Sequence, residues 1–273
     1  MTRVDVDGLA LNVEQAGEGP PVVLLHGFTG AAAGWTPIME LLTPEFTTIA
    51  IDIVGHGESD APPDVGRYAM ERCANDLVAV VRSLGHERAA WLGYSMGGRT
   101  ALQLATLRPD VVSALVLEGA TSGLIGKDRI ARMISDEELA GRIEGDGVPA
   151  FVDSWEVVPL FETQRSLPDE VRSAIREGRL RNSATGLANS LRGMGAGAQE
   201  PIHNRLREVQ APSLLVAGAL DGKFAAIAHE MAQGLPDAQV QLIDDAGHAA
   251  HIERPEAFGE VVLPFLRRVH GSA

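Results

Sequence analysis

Residues 91–100 read WLGYSMGGRT: an apolar run, a serine among closely spaced glycines, then the start of a helical pattern. Glycines in such a place mean that the backbone needs room or a positive φ. A serine held there is either a turn residue or a nucleophile, and its surroundings decide between them. Gly93-Tyr94-Ser95-Met96-Gly97 spells G-x-S-x-G, a weak signal on its own. Here the apolar run AAWLG precedes it, and the helical pattern MGGRTALQLATLRP (96–109) follows and stops at Pro109. In a strand–turn–helix setting the glycines let strand and helix approach closely while the serine takes a strained conformation. Its hydroxyl then projects at a helix N-terminus, where backbone N–H groups and the helix dipole favour negative charge. The nucleophile is the stronger reading.

A serine hydroxyl is a poor nucleophile or base until a histidine accepts its proton and an acid orients that histidine. The chain order expected for this kind of turn is serine, acid, histidine. SLLVAG (213–218) runs into GALDGKF, which sets Asp221 just past a strand end. AQVQLID (238–244) runs into DAGHAAHIERPEAF, which sets His248 in the next such loop. Glu118, after VVSALVL, is a rival for the acid. Asp244 and Asp245 read as shaping the turn before His248, and His56 and His251 read as structural. His26-Gly27-Phe28-Thr29-Gly30 follows PVVLL, where a loop can aim the Phe28 N–H at Ser95; the Met96 N–H is the second candidate donor of an oxyanion hole.

PVVLLH (21–26), FTTIAID (46–52), AAWLGY (89–94), VVSALVLEG (111–119), SLLVAG and AQVQLID are short and apolar throughout. Such runs suit strands buried on both faces of a parallel sheet. MTRVDVDGLALNV alternates polar and apolar residues like an edge strand, and ERCANDLVAVVRSLG (71–85) carries Leu77, Val80, Val81 and Leu84 at helical spacing. Strand alternating with helix predicts a doubly wound α/β sheet. The alternation breaks between about 120 and 207, where KDRIARMISDEELAGRIE, VPAFVDSWEVVPLF and LPDEVRSAIREGRLRNSATGLANSLRGMG are helical with no convincing strand. The expected division is a core of 1–120 and 208–273, with 121–207 inserted as a helical lid at the carboxyl end of the sheet, where ligands bind. The plainer alternative is a second helical domain with no catalytic role.

With 273 residues, the chain fits one large domain carrying such an insertion. Its net charge of −14 argues against nucleic-acid binding and against a polybasic membrane surface. Cys73 is the only cysteine, so no internal disulfide forms; a reducing compartment is favoured and the thiol reads as buried filler. The opening residues do not resemble a signal peptide, and no run approaches the roughly 20 apolar residues of a membrane-spanning helix. The expectation is a soluble cytoplasmic protein without a membrane anchor, a monomer or small homo-oligomer. No cluster has metal-ligand spacing, and neither a metal nor an organic cofactor is expected.

HGFTG, DIVGHGES, GYSMGG, GALDGKF and AGHAAHIERP together resemble the α/β-hydrolase superfamily, over essentially the whole chain. FVDSWEVVPLFETQ (151–164), LRNSATGLANSLRGMG (180–195) and GYSMGGR resemble one branch of it, the 2-succinyl-6-hydroxy-2,4-cyclohexadiene-1-carboxylate synthases of menaquinone biosynthesis. The resemblance implies an α/β-hydrolase fold, a mostly parallel doubly wound sheet with the helical lid inserted after the sixth strand. It implies a lyase that eliminates pyruvate from 2-succinyl-5-enolpyruvyl-6-hydroxy-3-cyclohexene-1-carboxylate, with Ser95, Asp221 and His248 acting on a proton instead of an acyl group. It also implies a small polycarboxylate substrate, bound by Arg99 and by the lid residues Arg132, Trp155 and Arg181, with Tyr94 and Lys223 as further candidates and Arg129 as a near equivalent of Arg132. Arginine suits that task, since its planar fork grips a carboxylate through two hydrogen bonds. Carboxylester and carbon–carbon bond hydrolases use the same triad, and a non-catalytic small-molecule receptor can keep the same fold; both remain as alternatives.

Overall fold

Apolar runs at 21–25, 47–51, 89–94, 112–118 and 213–218 keep nearly every side chain out of solvent, as strands covered by helices on both faces must. The computed structural model describes residues 2–271. Their order is β1 (Thr2–Val6), β2 (Leu9–Ala16), β3 (Pro21–Leu25), α1 (Thr36–Leu42), β4 (Thr47–Ile51), α2 (Met70–Ser83), β5 (Ala89–Tyr94), α3 (Met96–Leu107) and β6 (Val112–Glu118). There follow α4 (Gly126–Trp155), α5 (Asp169–Leu180), α6 (Ala184–Met194), β7 (Ser213–Gly218), α7 (Gly222–Gly234), β8 (Ala238–Ile243), α8 (Ala250–Glu253) and α9 (Pro255–His270). Short 3-10 turns join them, among them Pro159–Ser166 and His203–Glu208.

The strands form one eight-stranded sheet in the order β1-β2-β4-β3-β5-β6-β7-β8. β1 and β2 pair antiparallel, as do β2 and β4; every other pair is parallel. The alternating opening segment is thus two strands instead of one. Asp7 (φ 55) and Gly8 (φ 75) make the two-residue turn between them, and left-handed backbone at both positions is what so tight a hairpin requires. β8 also departs from the expected burial on both faces: Gln239, Gln241 and Leu242 are exposed, because this strand is the far edge of the sheet.

Two apolar layers sandwich the sheet. Cys73, Leu77 and Val81 of α2, Leu102 and Ala105 of α3, and Met231 of α7 pack on one face. Ile38 and Leu42 of α1 and Phe258, Val262 and Leu266 of α9 pack on the other. Cys73 is buried, and burial pushes its thiol far up in pKa, so it acts as an apolar side chain. Between β6 and β7 there is no strand among the described residues. Ala140, Ile143, Phe151 and Val152 of α4 and Leu187, Ala188 and Leu191 of α6 make a third, separate core. Ile202 and Leu206 already belong to the main core, so the chain has returned to the sheet by there. α4 bends at Gly147, which takes φ 83, a conformation open to glycine, and Pro149 then lies in the first turn of the second half, where its missing N–H costs no intrahelical bond. The insertion rests on loops that follow strand ends. Asn182 binds Thr29 after β3 and Gly57 after β4, and Asn189 donates to the Pro62 and Pro63 carbonyls.

Candidate active site

Ser95 stands between β5 and α3 with φ 50 and ψ −106, a left-handed conformation forced by the packing of its neighbours. A Cβ on Gly93 would lie 2.4 Å from the Gly97 carbonyl carbon, and one on Gly97 would lie 2.1 Å from the Leu25 oxygen. Only glycine at both positions lets β5, α3 and β3 meet this closely. The Ser95 side chain makes no capping bond, so the open N-terminus of α3 points past it with its first N–H groups free of intrahelical partners.

The parallel register brings the loops after β5, β7 and β8 to one edge of the sheet. There His248 Nε2 lies 3.3 Å from Ser95 Oγ, and His248 Nδ1 lies 2.7 Å from Asp221 Oδ2. His248 is buried, and Asp221 caps α7, its Oδ1 accepting the Phe224 N–H at 3.2 Å. Burial pushes the Asp221 carboxyl up. The His248 hydrogen bond, the Phe224 N–H and the charges of His248 and Lys223 outweigh burial and hold it below the usual carboxylate range. Glu118, the rival acid, turns elsewhere: it accepts the His251 N–H at 3.1 Å and sits 2.7 Å from His251 Nδ1. Asp245 takes φ 54 in the turn before His248.

The loop 26–30 lies against the serine, since a Cβ on Gly27 would come within 3.4 Å of Ser95 Cβ. The Gly27 carbonyl accepts from Gly30 N–H at 2.9 Å and from His26 Nδ1 at 2.8 Å, while His26 Nε2 accepts from Ile53 N–H at 2.9 Å. These bonds fix the plane of the Gly27–Phe28 peptide, and with it the direction of the Phe28 N–H. His56 packs beside His26, with ring centroids 5.0 Å apart. Its pKa is pushed down to about 3 by burial and by that neighbour.

The expected substrate-binding residues fall into two groups. Trp155 packs in an aromatic cluster, meeting Phe28 at 5.5 Å and Phe161 at 5.8 Å, while Tyr94 lies apart from it, 5.3 Å from His248. Trp155 Nε1 is buried with no hydrogen-bond partner. Burial, with the charge of Glu118, pushes the Tyr94 phenol well up. Arg99 is only 7% exposed and donates to two neutral oxygens of the 194–199 segment, Met194 O at 3.0 Å and Gln199 Oε1 at 2.8 Å. Its pKa is pushed down to about 10 by burial and by the charge of Arg132, against Asp136. Arg132 itself pairs with Asp136 at 2.7 Å. Arg129 instead reaches Gly197 O and Glu200. Lys223 is exposed, its ammonium 5.6 Å above the Phe224 ring, and that ring lies 4.4 Å from His248.

Arg181 is exposed at the end of α5 and makes no side-chain hydrogen bond among the described residues. Arg179, not among the residues expected from the sequence, is 7% exposed. Its guanidinium lies 4.9 Å over the Phe161 ring, 3.3 Å from Gln164 Oε1, and its charge acts on Tyr94. Burial pushes its pKa down, and it lines a cavity of about 540 Å³ between the end of α4, Pro159–Ser166 and α5. Alternating positions in REGRLRN carry both arginines, and only the helical register decides which faces inward.

Residues 20–255 match the model of the α/β-hydrolase fold family. A Bacillus subtilis (strain 168) protein provisionally named a 2-succinyl-6-hydroxy-2,4-cyclohexadiene-1-carboxylate synthase is 45% identical, over 93% of this chain and 94% of its own. Among solved structures, MenH from S. aureus is 32% identical with a TM-score of 0.90, covering 95% of this chain and 98% of that one. A malate-bound esterase from Thermogutta terrifontis is 29% identical with a TM-score of 0.87, covering 99% and 100%. The chain belongs to the α/β-hydrolase fold family and, within it, to the 2-succinyl-6-hydroxy-2,4-cyclohexadiene-1-carboxylate synthase family.

Proposed function

We propose that this protein is a lyase that releases pyruvate from 2-succinyl-5-enolpyruvyl-6-hydroxy-3-cyclohexene-1-carboxylate, a step of menaquinone biosynthesis, with Ser95, His248 and Asp221 as its proton-transfer machinery. The family supports the reading, since relatives carry the name of this synthase. The observation that carries it is a pair of buried guanidiniums, Arg99 and Arg179, whose hydrogen bonds go only to neutral oxygens. A buried cation without an acidic partner is costly unless an anion arrives to neutralise it. A neutral ester has no use for such groups; a polycarboxylate has.

His248, oriented by Asp221, draws the proton from Ser95 Oγ, and that oxygen takes the ring proton next to the succinyl carbonyl. The electron pair left on carbon delocalises onto the carbonyl oxygen, where the N–H groups of Phe28 and Met96 stabilise it. The pair then returns through the ring and expels the enolpyruvyl oxygen as an enolate, which takes on carbon the proton that His248 received and leaves as pyruvate. No bond forms between serine and substrate. Proton transfer by a positioned base contributes about 10²–10⁴-fold, and preorganised N–H donors supply much of the remainder. Arg99 and Arg179 clamp carboxylates, and the wall of Phe28, Trp155 and Phe161 excludes water, with the helical insertion acting as the lid. Coupling pyruvate formation to lactate dehydrogenase with freshly made precursor tests the reading: one pyruvate per precursor supports it, and no pyruvate refutes it.

A second reading is a carboxylester hydrolase, which the likeness to the malate-bound esterase favours. On that reading p-nitrophenyl acetate gives a burst of nitrophenol, and the enolpyruvyl precursor stays intact.

A further inference from the structure

Asn182, at the end of α5, is 5% exposed and ties that helix end to the loops after β3 and β4. Its Nδ2 donates to the Thr29 carbonyl at 3.0 Å and to the Arg179 carbonyl at 3.1 Å, and its Oδ1 accepts the Gly57 N–H at 3.1 Å. Beside it Gly186 meets Gly55 so tightly that a Cβ on Gly186 would lie 2.0 Å from the Gly55 oxygen. The insertion is seated on the core here.

Thr29 takes φ 70, which a β-branched residue avoids. It is the third residue of a turn closed by Gly30 N–H on Gly27 O, and a positive φ there marks a type II turn, where glycine is the usual resident. Phe28, whose N–H is the candidate oxyanion donor, is the second. Something outside the turn must therefore hold it against relaxation, which would leave the Gly27–Phe28 peptide in place but turn ψ of Phe28 and φ of Thr29 together, swinging the Phe28 carbonyl round beside its own N–H and changing the backbone that borders the candidate hole. The only side chain among the described residues that binds the Thr29 carbonyl is Asn182.

We propose that Asn182 is a positioning residue: by holding the strained Thr29 turn, it makes the seating of the helical insertion set the geometry of the oxyanion hole. The inference rests on the roles given above to Ser95 and Phe28. Because Asn182 also holds the Arg179 carbonyl, the arm that grips a substrate carboxylate and the loop that stabilises the developing oxyanion share one joint. Specificity for anionic substrate then acts on kcat as well as on binding.

Asn182→Ala removes all of these bonds, and Asn182→Asp keeps the acceptor for Gly57 but turns an oxygen toward the Thr29 carbonyl. Both are expected to lower kcat for pyruvate release about 10–100-fold, somewhat less than deleting a donor outright, with KM within about threefold. Adding Thr29→Gly to Asn182→Ala makes the turn favourable by itself, and is expected to restore a large part of kcat, which a general loss of folding does not allow. Two readouts need no substrate: amide exchange over 27–30 is expected to speed up in Asn182→Ala, and affinity for phenylboronic acid, whose Ser95 adduct places an oxygen in the hole, is expected to fall in parallel. Unchanged exchange and boronate affinity in Asn182→Ala, no rescue by Thr29→Gly, or no boronate adduct on the wild type overturns the proposal. Should the wild type form the adduct yet make no pyruvate, the substrate assignment falls while exchange and boronate affinity still decide the role of Asn182.

Discussion

Ser95 holds a backbone state that costs a non-glycine residue about 1–2 kcal/mol, and the surrounding contacts impose it. That strain aims one hydroxyl at His248 across 3.3 Å, and the expected consequence is measurable: Ser95→Ala should lower pyruvate release about 10³-fold or more while leaving substrate binding by calorimetry nearly unchanged. The two arginines of α5's end give a second test at this scale. Losing a charge-assisted hydrogen bond costs about 1.5–3 kcal/mol, so Arg179→Ala should raise KM for the polycarboxylate about 10–150-fold, and the exposed Arg181→Ala much less. The serine was readable because G-x-S-x-G sits on a strand and opens a helix. Arg179 was not, because α5 ends at Leu180 and the phase of its last turn is set by Asn182, whose partners Thr29 and Gly57 are 153 and 125 residues away. No local pattern carries that information.

Elements differ in the same way. β3, β4, β5, β6 and β7 were legible because burial on both faces demands unbroken apolar runs. The turn at Asp7-Gly8 splits the first strand, and the bend at Gly147 divides α4; both depend on backbone signs that hydrophobic spacing does not report. The β5–α3 junction is the tightest of them. Gly97→Ala would drive a Cβ to 2.1 Å from the Leu25 oxygen, which should cost about 3 kcal/mol or more and lower the thermal midpoint by several degrees in a melting scan. The loop after β4 carries a pH dependence. His56 has a folded pKa of about 3, against 6.5 for the free side chain, so the unfolded chain takes up a proton that the folded chain refuses. Stability should therefore be unaffected by His56 above pH 6.5 and should fall by about 1.4 kcal/mol per pH unit as pH drops below that toward 3. Urea midpoints between pH 7 and 4.5 check this, and His56→Gln should flatten the slope by one proton.

Across the whole molecule, the parallel sheet collects at one edge the loops that carry Phe28, Ser95, Asp221 and His248, and Phe151 and Trp155 of α4 pack against Phe28 there. That plan was readable, because in such a sheet every active loop follows a strand end. The seam between insertion and core was not, since it is written in contacts between segments far apart in sequence. The net charge of −14 makes the local cations matter more. Most arginines on the insertion are spent on surface pairs, such as Arg192 with Glu137 and Glu144 and Arg176 with Asp153 and Glu156, which contribute little. Arg99 and Arg179 are instead buried and bonded to neutral oxygens, as the proposed clamping of substrate carboxylates requires. The most direct test of proton abstraction by Ser95 is a single-turnover reaction with the enolpyruvyl precursor, quenched over time and read for both pyruvate and the intact mass of the protein. Equimolar pyruvate with an unmodified protein at every time point is the expected result; a transient mass gain on Ser95, or turnover without pyruvate, would contradict it.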